Sequence, residues 1–308
     1  MPDYAADDGV NASYEAAKDL PVRSTPRDTA ASAVEQPHAQ PFLKWAGGKR
    51  SLIPTLAPHF PDQIATYWEP FVGGGAVFFA FAGRIKHAIL SDTNEQLVLT
   101  YQVVKNDVEA LIGQLWQHKR THEERAGQTH EDGRTYYLGV RDAQPADPVE
   151  IAARFIYLNK TCYNGLYRVN SKGKFNVPEG GYKNPDICNA DRLREASQAL
   201  RNATIRAGDF ASVVQPDRND LVYCDPPYDG VFTGYQASGF GGNDQERLRN
   251  AANAWMRSGA RVVLSNADTP AMRALYSDFR IYEATAPRPI NSKGTGRGNV
   301  AELIITSE

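Results

Sequence analysis

The run Leu221-Val222-Tyr223-Cys224 leads directly into Asp225-Pro226-Pro227-Tyr228. A short, continuous apolar run is the pattern of a buried strand, and consecutive prolines stop a strand sharply. One carboxylate, one rigid carbonyl-bearing turn and one aromatic ring are therefore expected at the end of a core strand. In open α/β sheets, that edge is where ligands bind. The set suits a flat ligand that donates hydrogen bonds, such as a nucleobase with an exocyclic amine.

The glycine turn Phe71-Val72-Gly73-Gly74-Gly75 has a similar setting. Thr66-Tyr67-Trp68-Glu69 before it reads as a strand, and Ala76 to Phe81 after it as the start of a helix. Glycines permit close backbone approach, and a helix N-terminus faces the ligand. A second strand, His87 to Ser91, ends at Asp92, about 20 residues on, the spacing of an acid that holds ribose hydroxyls. By itself the turn fits helix–strand packing equally well. It lacks the P-loop pattern, which disfavours phosphate transfer, and it lacks the full dinucleotide fingerprint, so a nicotinamide cofactor is permitted but not required.

Strands and helices alternate again from Ala203. Thr204-Ile205-Arg206 leads to Gly208-Asp209-Phe210, a helix is expected over residues 244–258, and a strand over 261–264. Segments 279–284 and 300–306 are suited to a closing antiparallel pair. Between the two halves, apolar spacing predicts one helix from Asn94 to about His118. Residues 116–150 carry few signals, 151–159 resume helical spacing, and 160–185 are loop-like, aromatic and basic. The expected fold is α/β, a doubly wound and mostly parallel sheet of Rossmann-like type. Residues 41–94 and 196–308 form its core, and 95–195 a mainly helical insert. Residues 1–40, rich in Ala, Asp, Ser and Pro, bury too little to offset ordering entropy and are expected to be a disordered tail.

The 308 residues, 42% hydrophobic and 23% charged, suffice for a sizeable core. No apolar run is long enough to span a bilayer, and no basic-then-apolar leader opens the chain, so the cytoplasm is expected and a membrane partner is not. Cys162, Cys188 and Cys224 are widely spaced and the six histidines scattered, so no metal is expected. Net charge is −2, which hides two basic stretches. Residues 154–178 hold Arg154, Lys160, Arg168, Lys172 and Lys174, and residues 284–301 hold Arg288, Lys293 and Arg297, with no Asp or Glu in either. These fit solvated loops or phosphate-facing surfaces.

The chemistry of the Asp-Pro-Pro-Tyr run can be stated from its atoms. The adenine N6 is a poor nucleophile because its lone pair conjugates with the ring. Asp225 can accept one amine hydrogen and the Pro226 carbonyl the other. That moves the nitrogen toward tetrahedral geometry and stabilises the positive charge that develops there. Tyr228 can stack on the base, worth ~1–3 kcal/mol.

Asp225-Pro226-Pro227-Tyr228 resembles the catalytic motif of amino-group DNA methyltransferases, and the glycine turn resembles their S-adenosylmethionine motif. The order of Lys44-Trp45-Ala46-Gly47-Gly48-Lys49, glycine turn, insert and Asp-Pro-Pro-Tyr resembles the Dam-type adenine-N6 enzymes. So do Tyr157-Leu158-Asn159-Lys160, Tyr163-Asn164-Gly165-Leu166-Tyr167-Arg168 and Phe175-Asn176-Val177-Pro178. The resemblance spans about residues 41–308. It implies methyl transfer from S-adenosylmethionine to a flipped-out adenine in double-stranded DNA, with GATC as the favoured site. Asp225, Pro226, Pro227 and Tyr228 take the catalytic positions. Trp45, Lys49, Phe71, Gly73, Gly75, Asp92, Asp209, Phe210 and Asp225 take the cofactor positions. The insert corresponds to the target-recognition domain. Lys44, Asn164, Leu166, Arg168, Pro178 and Tyr182 stand where members touch DNA, and Lys160, Lys172, Lys174, Lys293 and Arg297 join them as candidate DNA-binding cations. Gly180-Gly181-Tyr182 departs from the Gly-Arg-Tyr of GATC-specific members. The expected enzyme is a monomer at the nucleoid, with a cognate restriction endonuclease as a candidate partner. Cytosine-N4 methylation, or DNA binding without catalysis, are the alternatives.

Overall fold

The computed structural model describes residues 39–228, 240–287 and 299–307. The tail expected over residues 1–40, except its last two residues, and the cations Arg288, Lys293 and Arg297 lie outside the described residues.

Seven strands form one sheet: β1 (Ile64–Glu69), β2 (Ile85–Asp92), β3 (Ala203–Ala207), β4 (Leu221–Cys224), β5 (Arg261–Ala267), β6 (Arg280–Pro287) and β7 (Asn299–Thr306), in the order β3-β2-β1-β4-β5-β7-β6. The first five strands pair in parallel. β7 runs antiparallel between β5 and β6. From β1 the chain winds outward through β2 to β3, then returns to the other side of β1 with β4. The direction of winding thus reverses between β1 and β4, where a ligand crevice opens at the carboxyl ends of the strands.

Side-chain alternation along the strands explains why helices cover both faces. Tyr67, Leu221, Tyr223, Val263 and Ile304 join one core; Trp68, Val222, Cys224, Val262, Leu264, Leu303 and Ile305 join the other. The first core also takes in α1 (Ile53–Leu56) and α2 (Ala76–Phe81) through Leu56, Val77, Phe78, Phe79 and Phe81. The second packs on α9 (Gly242–Arg257) through Leu248, Ala252 and Trp255, and on α10 (Pro270–Leu275) through Met272. The short α8 (Phe210–Val213) follows β3, with Asp209 accepting from the Ala211 amide as its N-cap.

Between β2 and β3 lie α3 (Glu95–Asn106), α4 (Val108–Gln128), α5 (His130–Asp142), α6 (Pro148–Thr161) and α7 (Ala190–Ala199). Leu97, Val98, Tyr101, Leu111, Tyr137, Tyr157 and Leu193 from these helices share one core with the sheet. The single helix expected from Asn94 to His118 is broken at Asp107 (φ −133°, ψ 36°). Asn106 and Asp107 are weak helix formers whose side chains compete for backbone groups. Asn94 opens α3 by accepting from the Leu97 amide, Thr129 opens α5, and Asp147 followed by Pro148 opens α6. Helix α5 falls in the stretch with few sequence signals, and α7 in one to which the sequence reading assigns no element. Among the described residues, no helix is long and apolar enough to cross a membrane, and no cluster of three metal-ligating side chains occurs.

Candidate active site at the sheet switch point

Asp225 leaves β4 at the crevice beside β1. Its Oδ1 is 2.9 Å from the Lys49 ammonium and accepts from the Ser265 hydroxyl at 3.0 Å. With Ser265 committed to Asp225, Tyr223 donates to Ser265 at 2.9 Å. The Asp225 side chain keeps one fifth of its surface open, whereas that of Lys49 is 6% exposed. Burial pushes the Asp225 carboxyl above its ordinary value, and Lys49 and Ser265 pull it back. Such a buried pair adds little to stability, because desolvation offsets attraction. Its value lies in holding an acceptor in a low-dielectric crevice.

The proline turn is pinned from the opposite core. Gln245 on α9 donates to the Pro227 carbonyl at 3.3 Å and accepts from Asn266 on β5 at 3.0 Å. Tyr228 donates its hydroxyl to Glu302 on β7 at 2.8 Å, and the Lys49 ammonium sits 4.6 Å from the centre of its ring.

The glycine turn follows β1, the parallel neighbour of β4, at the same end of the sheet. Gly73 and Gly75 have φ of +46° and +68°, which favours glycine, and a Cβ on Gly73 would lie 2.7 Å from Trp45 Cδ1. Asp92 clamps this turn to the end of β2: its Oδ2 accepts from the Gly73 amide at 3.2 Å and its Oδ1 from Asn94 at 2.9 Å. From α3, the Tyr101 hydroxyl donates to the Gly73 carbonyl at 3.1 Å. Trp45 stacks near Phe155 and Tyr167. Phe71, Phe210 and Phe240 form an aromatic cluster, and Arg247 pairs with Asp209 at 2.8 Å above it. Close-approach glycines, flanking aromatic faces and strand-end carboxylates make a cradle whose donor set fits a nucleoside carrying an amino-acid chain.

Several members of the site escaped the sequence reading. Ser265 and Glu302 come from strands far along the chain. Glu69 ends β1, fully buried, accepting from the Tyr67 hydroxyl at 2.9 Å. Burial pushes its carboxyl up to about 8, with the Tyr67 bond opposing and nearby Asp225 adding to the shift. An acid inside an apolar strand was the available signal in two of the three cases.

The second group of expected residues lies on the segment after α6. Asn159 ties this segment to Lys44: it accepts from the Lys44 amide at 2.9 Å and donates to the carbonyls of Lys44 and Gly165 at 2.7 and 3.1 Å. Asn164, with φ 54°, gives its amide to the Tyr182 hydroxyl, and the Lys44 ammonium lies 4.6 Å from the Tyr182 ring centre. Isolated bridges Cys162–Glu179 and Val169–Phe175 fold the loop on itself. Lys44, Arg168, Lys172, Lys174, Pro178 and Tyr182 are exposed and Asn164 and Leu166 half-buried. Tyr163, which is not among the expected DNA-contact residues, is also exposed. Arg168 spends its Nε and Nη2 on Asn176. Lys160 differs from the phosphate-facing place expected of it. Its side chain lies within the buried face of α6, and burial lowers its ammonium to about 8, against the pull of Asp186.

A family model for D12 class N6 adenine-specific DNA methyltransferases matches residues 45–290. The type II methyltransferase M.MjaIII of Methanocaldococcus jannaschii is 42% identical over 286 residues, covering 86% of this chain and 98% of that protein. The type II methyltransferase M1.LlaDCHI of Lactococcus lactis subsp. cremoris is 38% identical, covering 87% and 95%. The DNA adenine methylase of Vibrio cholerae is 34% identical, covering 85% and 94%. With its parallel sheet, switch-point crevice and Asp225 turn, the chain belongs to the D12 class of N6 adenine-specific DNA methyltransferases.

Proposed function

We propose that this chain methylates the N6 of an adenine swung out of double-stranded DNA, using S-adenosylmethionine. The observation that supports the reading is the Asp225 carboxylate, held by Lys49 and Ser265 at the end of β4, beside the strand β1 that runs into the glycine turn. S-adenosylmethionine supplies an electrophilic methyl group when bound. Trp45, Phe71, Gly73, Gly75, Asp92, Asp209 and Phe210 would hold it, and Lys49 would have to divide its ammonium between Asp225 and any cofactor carboxylate.

The protein's own part is to make the amine nucleophilic. Asp225 and the Pro226 carbonyl each accept an amine hydrogen, which localises the nitrogen lone pair toward the methyl donor. The Tyr228 ring holds the base plane. These contacts strengthen as positive charge grows on nitrogen, so they favour the transition state over the ground state. The base must leave the helical stack to reach a strand-end pocket.

The recognition role falls to the block 95–195 and its loop. Lys44, Asn164, Leu166, Arg168, Pro178 and Tyr182 would face the bases, where Arg reads guanine and Leu and Pro meet a thymine methyl. Lys172 and Lys174 would meet phosphates. GATC is the proposed site.

Incubating the protein and S-adenosylmethionine with unmethylated DNA, then hydrolysing to nucleosides, tests the reaction. N6-methyladenine is the expected product. N4-methylcytosine alone, or no modified base with bound DNA, overturns it. Long-read mapping of modified adenines tests GATC separately.

A further inference from the structure

We infer that Glu302 is a positioning residue for methyl transfer, setting the Tyr228 ring and holding Lys49 behind it. The inference deepens the reading above and rests on it.

Glu302 sits on β7, opposite Ala267 of β5 and Ala284 of β6. It lies two strands from β4, about 10 Å at ordinary strand spacing, and its side chain spans part of that distance. The stretch from Leu303 to Thr306 is buried throughout, and Glu302 is only 8% exposed. A carboxylate in that setting is costly unless charge and hydrogen bonds meet it. Two of the groups that meet it belong to the crevice. The Tyr228 hydroxyl donates to Oε2 at 2.8 Å, and the Lys49 ammonium is 4.0 Å from the same oxygen.

These contacts fix the ring in two ways. The bond at its hydroxyl end sets the tilt and depth of the ring. Lys49, held between Asp225 at 2.9 Å and Glu302 at 4.0 Å, lies 4.6 Å from the ring centre and covers one face. A stacked base must therefore use the opposite face. Glu302 reaches neither the base nor the methyl group. It acts through Tyr228 and Lys49, so the plane of the base stays aligned with the oxygens of residues 225 and 226. The antiparallel reversal that places β7 between β5 and β6 thereby has a role at the active site: it turns a strand so that an acid near its start faces the crevice.

The test compares E302A, E302Q and Y228F in steady-state N6-methyladenine formation on unmethylated DNA, with circular dichroism and thermal melting as checks of folding. Loss of a hydrogen bond to a charged acceptor predicts that E302A lowers kcat about 10–100-fold, more than it changes KM for S-adenosylmethionine through Lys49, while affinity for DNA stays within about threefold. The amide oxygen that E302Q introduces would still accept from Tyr228, so this variant should recover to within about tenfold of wild type. In the Y228F background, where only the Lys49 contact is left for Glu302 to act through, E302A should cost clearly less than it does in the wild type. A folded E302A with wild-type kcat, an effect confined to KM, an E302Q no better than E302A, or additive losses in the double variant would each overturn the inference. Failure of the wild-type protein to form N6-methyladenine would instead overturn the proposed function, so the two failures are distinct.

Discussion

Around Asp225, side chain meets side chain across the sheet: Lys49, Ser265, Tyr223, Tyr228 and Glu302 come from four separate stretches of chain and are mostly buried. Along residues 162–182 the shape is held largely by backbone groups. The Tyr163 amide bonds the Pro178 carbonyl, Gly180 bonds Thr161, Asn176 bonds Arg168, and the cations stay in water. The first arrangement ties a few buried polar atoms to one another through side-chain hydrogen bonds, the kind of preorganisation that transition-state stabilisation needs. The second presents long, exposed charges on a preformed loop, which suits a polyanion whose exact pose is settled on contact. Damage to the crevice should therefore fall on turnover, and damage to the loop on affinity.

The largest effect is expected from Asp225→Ala. Turnover should fall by at least about 1000-fold, as for removal of a preorganised charge-stabilising group. DNA affinity by filter binding should change less than about threefold. The chain should stay folded, because Glu302 remains close to Lys49 as a second carboxylate. Near-normal turnover in this variant would remove the assigned role of Asp225. Asn159→Ala probes the other region. Its three hydrogen bonds join the Lys44 segment to the loop, and breaking them should cost about 2–4 kcal/mol of local stability. DNA affinity should fall about 10–30-fold, with turnover at saturating DNA reduced far less. Equal losses in both quantities would show that the two regions are mechanically one.

The crevice was legible wherever residues close in sequence make it. The run ending at Asp225 is strand β4, and the prolines mark its end as expected. The strand into Asp92 and the turn at Gly73 were readable for the same reason: apolar alternation bounded by residues that stop it. Ser265 and Glu302 could not be assigned to the crevice from sequence, because only the sheet order brings β5 beside β4 and β7 one strand further out. The helical block was harder. Apolar spacing runs on through Val104, Val108 and Leu111, so the break at Asp107 left no mark in the pattern. Helix α5 buries only Gly133, Tyr137 and Val140, too few for a clear stripe. The basic, acid-free stretch around Lys160 suggests a surface cation, but α6 is covered on every side from Ala152 to Thr161. A buried helix shows no polar face from which exposure could be inferred.

A smaller effect, again specific to the crevice, concerns pH. Glu69 is held protonated up to about pH 8, against an ordinary value of 4.5. Between those values the folded chain keeps a proton that the unfolded chain has released, so stability falls as pH rises. The contribution is complete below about 4.5 and lost as pH climbs through about 8. Glu69→Gln should flatten this dependence. Urea unfolding at pH 5 and pH 8 should show a larger loss for wild type than for the variant, and parallel losses would place the proton elsewhere.

The smallest effect separates the regions by ionic strength. Asn170 accepts from the amides of Lys172 and Lys174 and holds both on one exposed turn. If each ammonium displaces one condensed counterion, Lys172→Ala should lessen the slope of log affinity against log salt by about 0.9, and the double replacement with Lys174→Ala by about twice that. Asp225→Ala should leave the slope unaltered, since a carboxylate in the crevice meets no phosphate. The size of the affinity loss at one salt concentration would not distinguish a phosphate contact from a loosened loop. The slope does, because only a lost charge contact changes the number of ions released. An unchanged slope in the double lysine variant would move the phosphate path off this turn and toward the exposed cations Lys44 and Arg168.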